Sequence, residues 1–156
     1  MFKDYNPSDK KTFQVMNEEG KIVNKQYMPE ITPERLLKAY KDMLFARTAD
    51  LMTVSYQRQG RIYTYPPNYG QEAIAGAAGA IMRDQDWMVP AFREMGAMLA
   101  KGVTLKELFL YFMGNEEGSN FKNAKNVLPI SVPIASQYVH ATGIGYSIKY
   151  KKEDSE

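Results

Sequence analysis

Arg93 is the first residue in this sequence whose type and setting could carry chemistry. It follows the apolar run Trp87-Met88-Val89-Pro90 and stands where helical spacing resumes. A helix start offers unpaired N–H groups and the positive end of the dipole to an anion. An arginine there can add a bidentate grip on a phosphate. The competing reading is a surface arginine paired with Glu94 or solvent. His140, the one histidine, lies in an apolar run, where a lone His reads first as a hydrogen-bonded core residue. Gln71-Glu72 opens another helical stretch, and an acid in a first turn is favoured electrostatically without any chemistry. Tyr63, Tyr65 and Tyr69 either stack on a ligand or pack their own loop, and Glu116-Glu117 reads as a solvated pair. The ten methionines read as core filler. The sequence holds no nucleophile–base pair, phosphate-cradling glycine loop or metal-ligand spacing. Spacing alone therefore assigns no catalytic residue and no metal site, and leaves one candidate anion site.

Composition narrows the classes further. The chain has 156 residues, 44% hydrophobic and 24% charged, which suits one ordinary globular domain. A net charge of +2 gives no electrostatic case for nucleic acid or an anionic membrane as partner. Cysteine is absent, which excludes disulfides, thiolate nucleophiles and Cys-based metal sites. The segment MFKDYNPSDKK lacks the apolar core of a signal peptide. The longest weakly polar stretch, Ala73 to Met82, is far short of the roughly 20 residues a bilayer span needs. These features predict a soluble, cytoplasmic protein.

The elements that must position Arg93 are well punctuated. TFQV and KIVN, joined by NEEG, predict a β-hairpin inside an N-terminal arm over 1–30. Residues 31–156 then form a helical body. Thr32 is set as an N-cap, with Pro33 at the first helical position and Glu34 beside it. Leu36, Tyr40, Met43, Leu44, Leu51 and Val54 recur at helical spacing over about 25 residues, up to Gly60. GQEAIAGAAGAIM carries so little side chain that its use is to let another backbone come close. A helix over 91–101 uses Met95, Met98 and Leu99. Thr104 and Glu107 predict a capping box for a helix that buries Leu105, Leu108, Phe109 and Phe112 and stops at Gly114. Residues 115–126 read as a solvated polar loop, 128–133 as extended, and 134–150 as a last apolar helix.

Five segments taken together resemble the alpha subunits of the thiamine-diphosphate-dependent pyruvate dehydrogenase component, in the 2-oxo acid dehydrogenase family. They are FQVMNEEGKIVN, the long helix ending in YQRQGRI, GQEAIAGAAGAI, DWMVPAFREMGAMLAKG, and NVLPISVPIASQYVHATGIGYSIKYKK, in order from about residue 12 to 152. The resemblance implies an α/β thiamine-diphosphate-binding fold in the intact family, of which this stretch is mostly α with the N-terminal hairpin. The family's Gly-Asp-Gly motif, which holds Mg²⁺ and with it the diphosphate, follows the equivalent of Tyr150-Lys151-Lys152. An amino-terminal portion, without the metal motif and binding no cofactor by itself, is thereby implied.

Residue by residue, Phe92-Arg93 falls on a Tyr-Arg pair whose arginine grips the diphosphate. Phenylalanine here removes the phenolic hydrogen bond. Val132 and Ile134 fall on the segment lining the aminopyrimidine and thiazolium rings. Ile134-Ala135-Ser136-Gln137 replaces the usual Ile-Gly-Ala-Gln, and Pro133 before it lacks an N–H. Thr64 stands where many members have Phe, with Tyr65 beside it, and Asn115-Glu116-Glu117-Gly118 replaces a His-containing loop. The implied activity is oxidative decarboxylation of pyruvate with acetyl transfer to lipoyl groups. The implied partners are a beta subunit, forming a heterotetramer, and a lipoyl-bearing acetyltransferase core. The alternative is a truncated, non-catalytic piece serving subunit contact only. An apolar stripe of Ile134, Tyr138, Ala141, Ile144 and Ile148 predicts self-association through 134–150.

Overall fold

Proline at the first helical position, with Glu34 in the first turn, starts a helix of 26 residues, α1 (Pro33–Arg58). A computed structural model describes residues 6–9 and 12–154. The chain falls into two compact units, Met1–Thr32 and Pro33–Glu156. In the second, α1 is followed by α2 (Glu72–Ile81), α3 (Met95–Ala100), α4 (Leu105–Phe112) and α5 (Ser136–Lys151). No helix among the described residues is long and apolar enough to cross a membrane.

Among the described residues of the first unit, a turn with a single bridge stands where a two-stranded hairpin was expected. Met16 and Ile22 form a single antiparallel bridge. Inside it, the Asn17 side chain accepts the N–H groups of Glu19 and Lys21, and Gly20 takes a φ of +76°. Val15 O accepts the N–H groups of both Val23 and Asn24, and a 3-10 turn at Lys25–Tyr27 then ends the pairing. Local side-chain bonding has replaced the ladder.

In the second unit, the buried stripe of α1 is Ala46, Ala49, Asp50 and Thr53. The large apolar residues expected inside are placed otherwise. Leu36, Tyr40, Leu44 and Leu51 are exposed, and Met43 and Val54 are half-buried. Close helix approach is the reason. A Cβ on Gly96 of α3 would lie 3.0 Å from Ala75 Cβ on α2 and 3.4 Å from Ala46 Cβ on α1. One on Gly76 would meet Met43 Cγ at 2.8 Å, and one on Gly79 would run into Ala100 Cβ. The bare α2 thus does bring backbones together, while its Ile74 and Ile81 point outward.

Gly60 ends α1 with φ +72°, its N–H on Gln57 O and that of Arg61 on Tyr56 O. The capping box of α4 is present: the Thr104 hydroxyl accepts from Glu107 N, and Glu107 Oε2 accepts from Thr104 N at 2.8 Å. Gly114, φ +78°, follows that helix. The segment after it is less solvated than its composition suggests. Glu107 Oε1 accepts the Lys122 N–H at 2.8 Å, Phe121 packs on the core and Ala124 is buried. Burial opposes ionisation of Glu107, but the Thr104 and Lys122 donors outweigh it and hold its pKa below the usual carboxylate range.

Residues 88–90 and 126–131 run side by side. Met88 and Val127 form one parallel bridge, and Leu128 N and Ser131 N donate to Met88 O and Pro90 O. Around them pack Met88, Met95, Met98, Val103 and Leu108, so three methionines do fill the core. Ala135, φ +74°, turns the chain into α5. The expected stripe there is exposed only in its first half: Ile134, Tyr138 and Ala141 face outward, Ile144 is half-buried and Ile148 is buried. His140 is exposed and is no core residue.

Candidate functional site

The loop after α1 is where the sequence lost its helical period, and the structure uses it as a wall. Tyr63 N donates to Phe112 O at 3.0 Å, which ties the loop to the end of α4. Ile62 and Tyr65 are buried with Phe112, and the rings of Tyr65 and Phe112 meet edge-on at 4.9 Å. Together with Tyr63, Thr64, Pro66, Tyr111 and Val132, these rings and Phe92 enclose an open cavity of about 620 Å³. The lining is almost wholly apolar and aromatic, which suits a flat ring-bearing ligand.

Beneath this wall lies a buried polar node. Asp50 is 1% exposed, and its Oδ1 accepts the Tyr65 hydroxyl and the Asn68 N–H, both at 2.6 Å. Asn68 Nδ2 donates to the Tyr65 oxygen, and Asn68 Oδ1 accepts the Met95 N–H at 3.2 Å. Burial, reinforced by the Asp50 carboxylate, pushes the Tyr65 pKa far above its usual value, so the hydroxyl stays a donor. Asp50 Oδ2 is buried with no hydrogen-bond partner among the described residues.

Arg93 follows Phe92 of the cavity wall in sequence but does not itself line the cavity; it lines a separate small crevice with Asn68, Gln71 and Glu72. Its Nε donates to Pro67 O at 3.1 Å and its guanidinium carbon lies 5.4 Å from the centroid of the Phe92 ring. Its side chain makes no ion pair with Glu94 among the described residues; the Glu94 carboxylate instead accepts the Arg93 backbone N–H. The two terminal guanidinium nitrogens bond to no described residue, so a forked donor remains available to an anion. Arg93 does not open α3, as spacing suggested. That helix begins at Met95, because Asn68 supplies the acceptor for its first N–H from another segment.

Of the four residues singled out for a cofactor, two line the cavity, Phe92 and Val132, and Arg93 lies beside Phe92 without lining the cavity. Ile134 does not line it and is 85% exposed. Tyr63 and Tyr65 also line the cavity, whereas Tyr69 lies under the Arg47 guanidinium at 4.0 Å. Glu72 binds Arg47 Nε at 2.5 Å and takes the Gly70 N–H, and the Arg47 bond holds its pKa down to about 2. Sequence reading missed Asp50 and Asn68. The only signal for Asp50 was its place on the Ala46, Ala49, Thr53 face. Asn68 carried no local signal, since its partners are distant in sequence. Among the described residues, no three His, Cys, Asp or Glu side chains form a group that could hold a metal ion.

The second unit thus combines a ring-lined cavity with an arginine next to one of its wall residues, on a helical frame carrying a parallel bridge. The chain belongs to the family described as "Dehydrogenase E1 component", whose model matches residues 40–155. It is 41% identical over 136 residues to a pyruvate dehydrogenase E1 component subunit alpha of Acholeplasma laidlawii, covering 87% of this chain and 39% of that protein. To the subunit of the same name from Mycoplasma genitalium it is 38% identical, over 90% of this chain and 39% of that one. The Staphylococcus aureus subunit is 30% identical, with 91% and 38% covered. The chain thus spans about two fifths of the length of the curated relatives it matches.

Proposed function

We propose that this chain is the cofactor-gripping part of a pyruvate dehydrogenase E1 alpha subunit, in the cytoplasm, acting in oxidative decarboxylation of pyruvate with acetyl transfer to lipoyl groups. The observation that carries the reading is Arg93: its terminal nitrogens bond to no described residue, and its guanidinium lies beside the ring of Phe92, a residue of the aromatic cavity wall. Those residues fit thiamine diphosphate. Arg93 would hold a diphosphate oxygen pair, and Phe92 and Val132 would line the space for the rings. When bound, the cofactor supplies the electron sink for decarboxylation. What this chain adds is position and the exclusion of water by Tyr63, Tyr65, Tyr111 and Phe112. Ligands for Mg²⁺ would come from outside the described residues. Ile134, exposed on the lead-in to α5, joins the wall only when another chain closes over it, the place proposed for a beta subunit. A lipoyl-bearing acetyltransferase core is the proposed acceptor of the acetyl group.

The test is Arg93→Ala in the enzyme assembled with its beta subunit. Cofactor affinity should weaken by about 1.5–3 kcal/mol, the range for a hydrogen bond to a charged group. Activity should recover at high cofactor concentration. An unchanged dissociation constant would return Arg93 to an ordinary surface arginine. A second reading, a piece serving subunit contact only, is favoured by the outward Ile134, Tyr138 and Val139. It requires that the assembled complex be inactive yet stable, which the same preparation would show.

A further inference from the structure

Asp50 is a charged group buried in the second unit that no step above uses. Its Oδ1 holds both ends of the stretch Tyr65-Pro66-Pro67-Asn68, through the Tyr65 hydroxyl and the Asn68 N–H at 2.6 Å each. Between those two points the chain has only prolines, which lack an N–H, so no backbone donor inside the stretch can anchor it. From the stretch, two further bonds reach the segment that follows Phe92 of the cavity wall. Pro67 O accepts Arg93 Nε at 3.1 Å, and Asn68 Oδ1 accepts Met95 N at 3.2 Å. The Arg93 side chain is therefore held by one bond, and the backbone two residues after it by another, to groups whose own placement depends on one carboxylate.

We propose that Asp50 is the positioning residue for the Arg93 guanidinium, presetting the fork that faces the anion. The inference rests on the reading of Arg93 as the diphosphate grip. The partnerless Asp50 Oδ2 fits this role. A charge kept in the interior with one oxygen unpaired costs stability. Its return is a strong, charge-assisted acceptor for two donors at once.

Nitrogen-15 relaxation on the 156-residue chain tests the proposal, because order parameters report motion inside the native state and not its stability. In the unaltered chain the Arg93 Nε–H should lie near the rigid value of about 0.85. Asp50→Ala should drop Arg93 Nε and the Asn68 amide below about 0.6 while the Leu108 amide keeps its value. Asp50→Asn keeps an oxygen acceptor of lower strength and trades one unpaired polar atom for another. It should lower the same two signals by roughly half as much, and it decides the matter if the alanine variant does not fold. The proposal is overturned by an Arg93 Nε that is already mobile in the unaltered chain. It is equally overturned by one that stays rigid in folded Asp50 variants, or by a loss shared with Leu108. Failure of the diphosphate reading would appear instead as an unchanged cofactor affinity in Arg93→Ala, which this measurement does not use.

Discussion

The junction of α1, α2 and α3 and the outer face of α5 invert the rule that apolar residues go inside. At the junction the buried face of α1 is two alanines, a threonine and a carboxylate, with Asp50 at 1% exposure. On α5 and its lead-in, Ile134 and Tyr138 stand 85% and 77% exposed. Burial here follows from what the rest of the chain supplies. Around Asp50 it supplies two donors, in a junction whose helices approach through Gly76, Gly79 and Gly96; beside Ile134 and Tyr138 the described residues supply little cover. A buried polar group is tolerated when its bonds are made. An exposed apolar face of several large side chains is an association surface.

If the junction is as tightly specified as its contacts suggest, the largest loss should come from Asp50→Leu. It leaves the Tyr65 hydroxyl and the Asn68 N–H without their acceptor, at about 1–3 kcal/mol for each orphaned donor. Urea unfolding should show about 2–6 kcal/mol in all, and a loss under 1 would mean that water or another group replaces the carboxylate. Next comes Gly96→Val, whose new atoms meet Ala75 and Ala46. Overpacking of that kind costs about 1–3 kcal/mol; a neutral variant would show that α3 can move away from its neighbours.

On α5 the expectation reverses. Ile134→Asp with Tyr138→Asp should change unfolding free energy by no more than about 0.5 kcal/mol. The same pair should shift the light-scattering mass of the chain from an associated species to the monomer. A chain that is monomeric before the substitutions would mean that this face needs a different partner from itself. The smallest effect concerns the Arg47–Glu72 pair at the edge of the junction. Glu72 has its pKa depressed to about 2 by the Arg47 bond. The stability it lends is therefore full above the ordinary carboxylate range and is lost as pH falls towards 2. Arg47→Gln should flatten the acid limb of a plot of melting temperature against pH, and an unaltered limb would show the pair to be too exposed to matter.

Helix starts and stops were legible where the signal is local. Pro33, Gly60, the Thr104–Glu107 box and Gly114 each act through groups within a few residues of themselves. The cavity was legible in part. Phe92, Val132, Tyr63 and Tyr65 of its lining were singled out, but on resemblance or residue type and not on any pattern that joins them. The polar node was not legible. Asp50, Asn68 and Met95 are separated by 18 and 27 residues along the bonds that link them, and no short-range period encodes such a pairing.

Composition, cap chemistry and the bare α2 were enough to establish a mostly helical chain with backbones in close approach, because each rests on bonds or side-chain volumes local to the element. Which face of α1 turned inward was settled only in three dimensions. Gly96 fits only against small side chains such as Ala46 and Gly76 packs on Met43, while the Asp50 carboxylate on that face accepts two donors from the loop that follows α1.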